Sequence, residues 1–322
     1  MDRTVGRLAL FLLAQLILDP GWLSAAASLL MGIAGVVLLW RGRTALRGTT
    51  LVLPWAWSLL AWVVLCGSEC VIGVMHAQEV SGGEDQIRYL AAMTLFCPQL
   101  SQVGSKRPQW ITWQLVVAIF LLVLWLPVFQ VWAFSSIGHV APGWMGGIFL
   151  AALILAGFLN NFPTRFSPTA LCLVIAQINM TYTYLPMATT EVTVNGALLA
   201  MALGLIGIGS AIQGGLGCPE NLRPEDRAWI DFRDSFGAFW AVRVMLRVND
   251  SAARYEWGLW LSWNGFHQVE IVGSHADFRD GVREALITCL RKLLGDFVDD
   301  AWLDTRLPRS NTRKKGFEDL EA

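Results

Sequence analysis

Charge is scarce over most of this chain. Residues 1–217 hold only 9 Lys/Arg and 7 Asp/Glu, whereas residues 218–322 hold 15 and 18. Soluble domains carry roughly 25% charged residues; this chain has 15%, with 55% hydrophobic residues and a mean hydropathy of +0.49. That excludes one large soluble domain. The change in composition near Gly217 marks off a membrane domain, 1–217, from a water-compatible one, 218–303. The net charge of −1 excludes nucleic acid as a bulk electrostatic partner.

Cysteine is sparse too. Of the six (Cys66, Cys70, Cys97, Cys172, Cys218 and Cys289), four lie in or beside apolar segments, where cysteine behaves as a small hydrophobe. Paired CxxC motifs at zinc spacing are missing, and a disulfide framework is not indicated. Walker A, Rossmann glycine, HExxH and GxSxG patterns are also missing, so no familiar enzyme class is signalled. No cofactor is specified by the residues.

Long apolar runs are what the sequence does have. A spanning helix needs about 20 mostly apolar residues, and eight candidates stand at roughly 5–19, 22–40, 50–75, 88–102, 110–134, 144–160, 168–185 and 192–213. The first and fourth are short. The opening MDRTVGRLALFLLAQLIL has the basic start and apolar core of a signal peptide. A second apolar run begins almost at once, so it reads as a retained first helix. With the N-terminus inside, Arg3, Arg7, Arg41, Arg43, Arg47, Lys106, Arg107 and Arg165 all fall on the cytoplasmic side. The longer outer loops, 76–87, 135–143 and 186–191, hold no Lys or Arg. The expectation is a multi-pass protein of the plasma or inner membrane, in contact with the lipid bilayer and with both termini cytoplasmic. The 16 tryptophans suit interfacial belts.

One carboxylate interrupts the third run, in LCGSECVIGVMH, where Glu69 lies between Cys66 and Cys70. Other polar residues gather at the same depth: Gln130, Gln177, Asn179, Thr181, Tyr182 and Asn195, with His76, His139 and Glu191 just beyond. Polar groups in lipid must face a partner or water. The expectation is an outward-opening polar pocket formed by Glu69, Gln177, Asn179, Tyr182, Asn195, His76 and His139. Two readings of Glu69 stand side by side. It is a proton acceptor, cation ligand or substrate contact, or it is a carboxylate bonded near Gln177 or Tyr182 to hold helices together. His76 and His139 are the available ligands for a metal or an axial haem position. Cys70 with a histidine and Arg88 is a weaker pattern for a membrane cysteine enzyme, because no nucleophile motif accompanies it.

The segment NNFPTRFSP, 160–168, reads as a tight polar connection anchored inside by Arg165. Residues 218–303 read as a cytoplasmic α+β domain of helix, hairpin and helix. Pro224, Glu225 and Asp226 open the first helix. Trp229, Phe232, Phe236, Phe239 and Trp240 give it an aromatic core stripe. Asn264-Gly265 signals a hairpin. A three-residue bulged turn, with Ser262 opposite Phe266, divides the faces most cleanly: Trp257, Leu259, Leu261, His267, Val269 and Ile271 lie on one, and Trp260 and Phe266 on the other. The last helix is expected over about 276–303, burying Phe278, Val282, Leu286, Leu290, Leu293 and Phe297. Residues 304–322 read as a disordered charged tail.

The leading functional expectation is a non-enzymatic subunit or assembly factor of a membrane complex, binding a protein partner or another copy through residues 218–303. A transporter, or a haem- or metal-handling protein built around Glu69, is the second reading. An outer-face enzyme is the third.

Overall fold

The computed structural model describes residues 20–134, 140, 142–184, 196–216, 222–268 and 280–307. These residues form eleven helices, here α1–α11, and one two-stranded sheet. Those longer than two turns in the apolar part are α1 (Pro20–Gly42, continued as a 3₁₀ turn to Leu46), α2 (Val52–Ala77), α3 (Glu84–Thr94), α5 (Thr112–Phe134), α6 (Gly143–Asn161), α7 (Ser167–Thr181) and α8 (Gly196–Leu216). The short α4 (Cys97–Val103) follows α3. Five of them, α1, α2, α5, α6 and α8, are long and apolar enough to cross a membrane. Their outward faces carry rows of large apolar side chains, such as Leu29, Leu30 and Ile33 on α1 and Leu115, Ile119 and Leu122 on α5. Only lipid or another protein can cover such rows.

The run expected as a fourth span is two helices, not one. Proline 98 explains the break. It has no N–H to offer the carbonyl of Thr94, and its ring crowds that carbonyl. So α3 stops at Thr94, where the hydroxyl turns back to Ala91 O at 2.6 Å, and α4 restarts with Pro98 in its first turn. The interruption is deep inside protein: Ala91 through Thr94, Phe96 and Cys97 are each at most 1% exposed. The expected seventh span is the 15-residue α7, extended by a 3₁₀ turn through Tyr184. Residues 5–19, the expected first span, lie outside the described residues.

Helix α2 is central and packs on α1, α3, α4 and α8. Its Trp62 ring is gripped between Gly35 of α1 and Gly204 of α8, and its indole N–H donates to Gly32 O at 3.1 Å. Glycines on the facing helices are what let so large a ring sit there.

The polar part comprises α9 (Pro224–Arg254), β1 (Leu259–Ser262), β2 (Gly265–Gln268), α10 (Asp280–Leu294) and α11 (Asp300–Asp304). Its core is aromatic. Phe232 and Phe236 stack at 4.9 Å, and Phe297 meets each edge-on at 5.2 Å, a favoured geometry for aromatic pairs. Trp229, Leu286, Leu290, Leu294 and Leu307 complete it, so the packed chain runs on to Leu307.

Three details of this part differ from the sequence expectation. The hairpin turns at Trp263-Asn264, pairing Ser262 with Gly265, Leu261 with Phe266 and Trp260 with His267. Leu259, Leu261 and Phe266 face the core, while Trp260 and His267 stack on the outside at 4.9 Å. Tertiary bonds choose this register. The Phe266 N–H donates to Asp226 Oδ1 at 2.7 Å, Arg223 donates to Phe266 O at 2.7 Å, and Arg233 and Trp229 donate to Trp263 O. The aromatic stripe of α9 also breaks. Trp229, Phe232 and Phe236 are buried, but Phe239 is 38% exposed, because Gly237 (φ 79°, ψ 176°) interrupts the helix and resets its phase. The last helix ends at Leu294. Residues 295–299 then form a loop in which Val298 bridges Thr49, before Asp299 caps α11 through the Trp302 N–H at 2.8 Å. Val269, Ile271 and Phe278 lie outside the described residues.

Candidate functional site

Glu69, expected on the wall of an outward-opening pocket, is instead paired across a helix hairpin. Helices α2 and α3 form a hairpin through 78–83, and this lays Arg88 against Glu69. The guanidinium grips the carboxylate with both arms, Nε to Oε1 at 3.0 Å and Nη2 to Oε2 at 3.4 Å. Glu69 is 1% exposed, while the Arg88 side chain is 37% exposed. A two-armed ion pair of this kind fixes geometry as well as charge. Nearer the turn, His76 Nε2 meets Glu84 Oε2 at 3.0 Å. Asp85 accepts from the Tyr184 hydroxyl at 2.8 Å and from the Val140 N–H at 2.7 Å, and Tyr184 meets Tyr89 edge-on at 4.8 Å.

Gln177 has a separate task. Its amide donates to Leu95 O at 3.2 Å and to Gln99 Oε1 at 3.3 Å. Leu95 O is a carbonyl left open at the α3–α4 break, so Gln177 supplies a donor that the interruption leaves missing. Removing the amide while leaving the carbonyl buried costs about 1–3 kcal/mol. Gln177→Leu is therefore expected to lower the melting temperature of the detergent-purified protein, with Thr169→Val at the other end of α7 affecting it much less.

Of the expected pocket residues, Glu69 and Gln177 are both buried, on α2 and α7, each with its own partners. Asn179 is half-buried against Gly196, and Tyr182 is half-buried in the 3₁₀ turn. Asn195 and His139 lie outside the described residues. Cys66 packs on Gly32 as a hydrophobe, and Cys70 is half-buried. Among the described residues, no three His, Cys, Asp or Glu side chains are grouped to hold a metal ion. In the sequence Arg88 stands out only beside Cys70 and a histidine, not as the partner of Glu69. The usable signal was its sign and its place across a short turn from Glu69.

A second polar assembly lies at the opposite end of the bundle, where 160–168 meets α9. Arg165 reaches Asp231 at 3.1 Å and Asp234 at 3.5 Å, Arg233 meets Asp234 at 2.7 Å, and Arg306 meets Asp231 at 2.8 Å. Burial pushes the Asp234 carboxyl up, opposed by the pull of Arg233 and Arg165. The Trp263 indole donates to Pro163 O at 2.9 Å, and the Trp240 indole to Val103 O at 3.1 Å. At the Gly237 break, Asn160 Oδ1 accepts from the Phe239 N–H at 2.9 Å, and Gln102 donates to Ser235 O at 3.2 Å. The Thr50 N–H donates to Phe297 O at 2.9 Å, the Asp299 N–H to Gly48 O at 2.7 Å, and the Arg107 N–H to Asp296 O at 2.8 Å. The segment 160–168 is thus a clamp rather than a plain connection. Three separate stretches of the apolar part (48–50, 102–107, and α6 with its following loop to 165) hold residues 222–268 and 280–307.

No family model, curated protein or solved structure matches this chain.

Proposed function

We propose that this protein is a non-enzymatic subunit or accessory factor of a membrane complex, presenting residues 222–307 as a fixed contact surface in the cytoplasm. The observation that carries the reading is the clamp. A freely tethered binding module has no need of buried carboxylate–guanidinium contacts and hydrogen bonds to three stretches of the membrane part. A surface that must sit in fixed register with the membrane helices does. The clamp end also gathers Arg41, Arg43, Lys106, Arg107 and Arg165, which the positive-inside tendency assigns to the cytoplasm. Arg43 there lies over the rings of Trp40 and Trp55 at 5.3 and 5.2 Å, as suits a membrane boundary. Eight passes result if residues 5–19, the broken α3–α4 pair and α7 each count as one. The broken pair covers about 30 Å at 1.5 Å per residue, matching the hydrocarbon thickness.

The partner-facing side is the outer face of the hairpin, where Trp260 is 48% exposed under His267 and Tyr255 is 64% exposed beside Trp257. Exposed aromatics of this kind are typical interface anchors. A photo-crosslinking residue at position 260, in the full-length protein in its host membranes, is expected to give one discrete adduct, with a partner or a second copy. The same residue at position 119, on the lipid-facing side of α5, should give none. Equal or absent adducts at both positions would remove the basis for a contact surface.

A transporter remains the second reading, favoured by one observation: the interrupted α3–α4 helix at mid-bundle depth. Broken helices mark binding sites in many transporters. Against it, the freed carbonyl is occupied by Gln177, and Glu69 by Arg88.

A further inference from the structure

A cavity of about 570 Å³ lies at the clamp end, between α4, α6 and the second half of α9. Its walls are Phe96 and Leu100, Leu153 and Ala156, and Phe239 and Val242, with the Gln99 amide among them beside Gly157. Arg243 lies over Phe239, whose N–H donates to Asn160 near the end of α6, so Arg243 and Asn160 mark the rim. This volume is within the usual range for small-molecule sites, about 300–1,000 Å³. The cavity is polarised. Leu153 is seven residues before Asn160 on α6, so the floor lies about 10 Å below the rim.

The surfaces beside it are those a membrane would cover. Leu155 and Leu159 of α6 are each 55% exposed, and on α9 Phe239, Val242 and Leu246 line up at helical spacing with 38%, 40% and 55% exposure. Arg243 and Arg247 interleave with them on the same exposed face. Such a face, apolar and basic, suits the interfacial layer of a bilayer. Arg243 differs from the clamp arginines. Arg165, Arg233 and Arg306 each meet a carboxylate. Among the described residues Arg243 is instead held over the rings of Phe239 and Trp240, at 3.9 and 5.2 Å. Its guanidinium donors are left to something negative at the rim.

We propose that this cavity binds an anionic phospholipid, with an acyl chain between α4, α6 and α9 and the headgroup phosphate on Arg243. The largely apolar lining calls for a chain, the one cation in that lining for an anion, and their order along the bundle axis for an amphiphile entering from the bilayer. The site rests on the multi-span reading and is independent of the partner reading, since neither Trp260 nor His267 lines it.

The test is native mass spectrometry of the delipidated full-length protein, titrated with phosphatidylglycerol, phosphatidylcholine or inorganic phosphate. Phosphatidylglycerol is expected to bind about fivefold more tightly than phosphatidylcholine, the effect of one well-placed cation near an anionic headgroup. Arg243→Gln should abolish that preference, and Arg247→Gln, outside the cavity, should keep it. Ala156→Phe, or Val242→Phe should the first not fold, is expected to reduce retention of both lipids, and inorganic phosphate to compete weakly. Equal binding of the two lipids, a preference that survives Arg243→Gln, equal effects of Arg243→Gln and Arg247→Gln, or displacement by inorganic phosphate alone would each overturn the proposal. Extraction of the protein without detergent would instead refute the multi-span reading beneath it.

Discussion

Gly237→Ala is expected to destabilise the protein by about 3 kcal/mol or more and to loosen residues 222–307 from the membrane helices. Two independent effects combine. The backbone there, at φ 79° and ψ 176°, is a conformation that essentially only glycine adopts, costing other residues about 1–3 kcal/mol. A β-carbon would also come within 2.5 Å of Asn160 Nδ2. Asn160 would have to move, releasing the Phe239 N–H it accepts from and the Gln102 side chain it donates to. The first bond crosses the clamp and the second steadies Gln102, which itself donates to Ser235 O, so the loss should appear as faster amide exchange on both sides of the break in α9, together with a lower melting temperature. Gly209→Ala in α8 is the matched control: nothing lies within 4 Å of its added methyl, and its backbone is helical. It should be neutral or slightly stabilising.

The second large effect concerns the carboxylate in the apolar core. Arg88→Gln leaves Glu69, at 1% exposure, without its cation, and breaking a buried pair in this way costs about 3–5 kcal/mol. The exposure of Arg88 places the expected loss at the lower end of that range, because water at its rim already screens part of the attraction. Glu69→Gln is expected to cost less, about 1–2 kcal/mol, since the orphaned guanidinium reaches solvent and the new amide still accepts one of its bonds. If Glu69 were a transport or catalytic carboxylate, the order would reverse in a functional sense: Glu69→Gln would leave abundance and melting unchanged while abolishing a ligand-dependent response.

The membrane character was legible in the sequence because apolar length alone sets it, and α1, α2, α5, α6 and α8 coincide with expected spans. The break at Leu95–Phe96 was less visible. Pro98 stands in plain view, but it lies near the end of a short run, where a proline also fits a helix terminus. The polar depth around Glu69 was legible and its partner was not, since pairing depends on which helices become neighbours. The two rival roles of that carboxylate differ only in what faces it. In the polar part, Asn264-Gly265 is a strong local hairpin signal, yet Asp226, Arg223, Arg233 and Trp229 hold the strands one residue out of the register that it suggests. The isolated Gly237 within a helical pattern was the overlooked mark. It shifted Phe239 from core to surface, and with it created the wall of the cavity beneath Arg243.

If the polar residues buried at the far end of the bundle serve its architecture, the proposed contact at the clamped face is left as the protein's work. The most direct test is a double-mutant cycle on Glu69 and Arg88, with Glu69→Gln, Arg88→Gln and the combined variant measured for abundance in membranes and for melting in detergent. A structural pair predicts that adding Glu69→Gln to Arg88→Gln recovers stability, with a coupling of about 1–3 kcal/mol. Additive losses, or a carboxylate whose removal leaves both readouts unchanged, would contradict it.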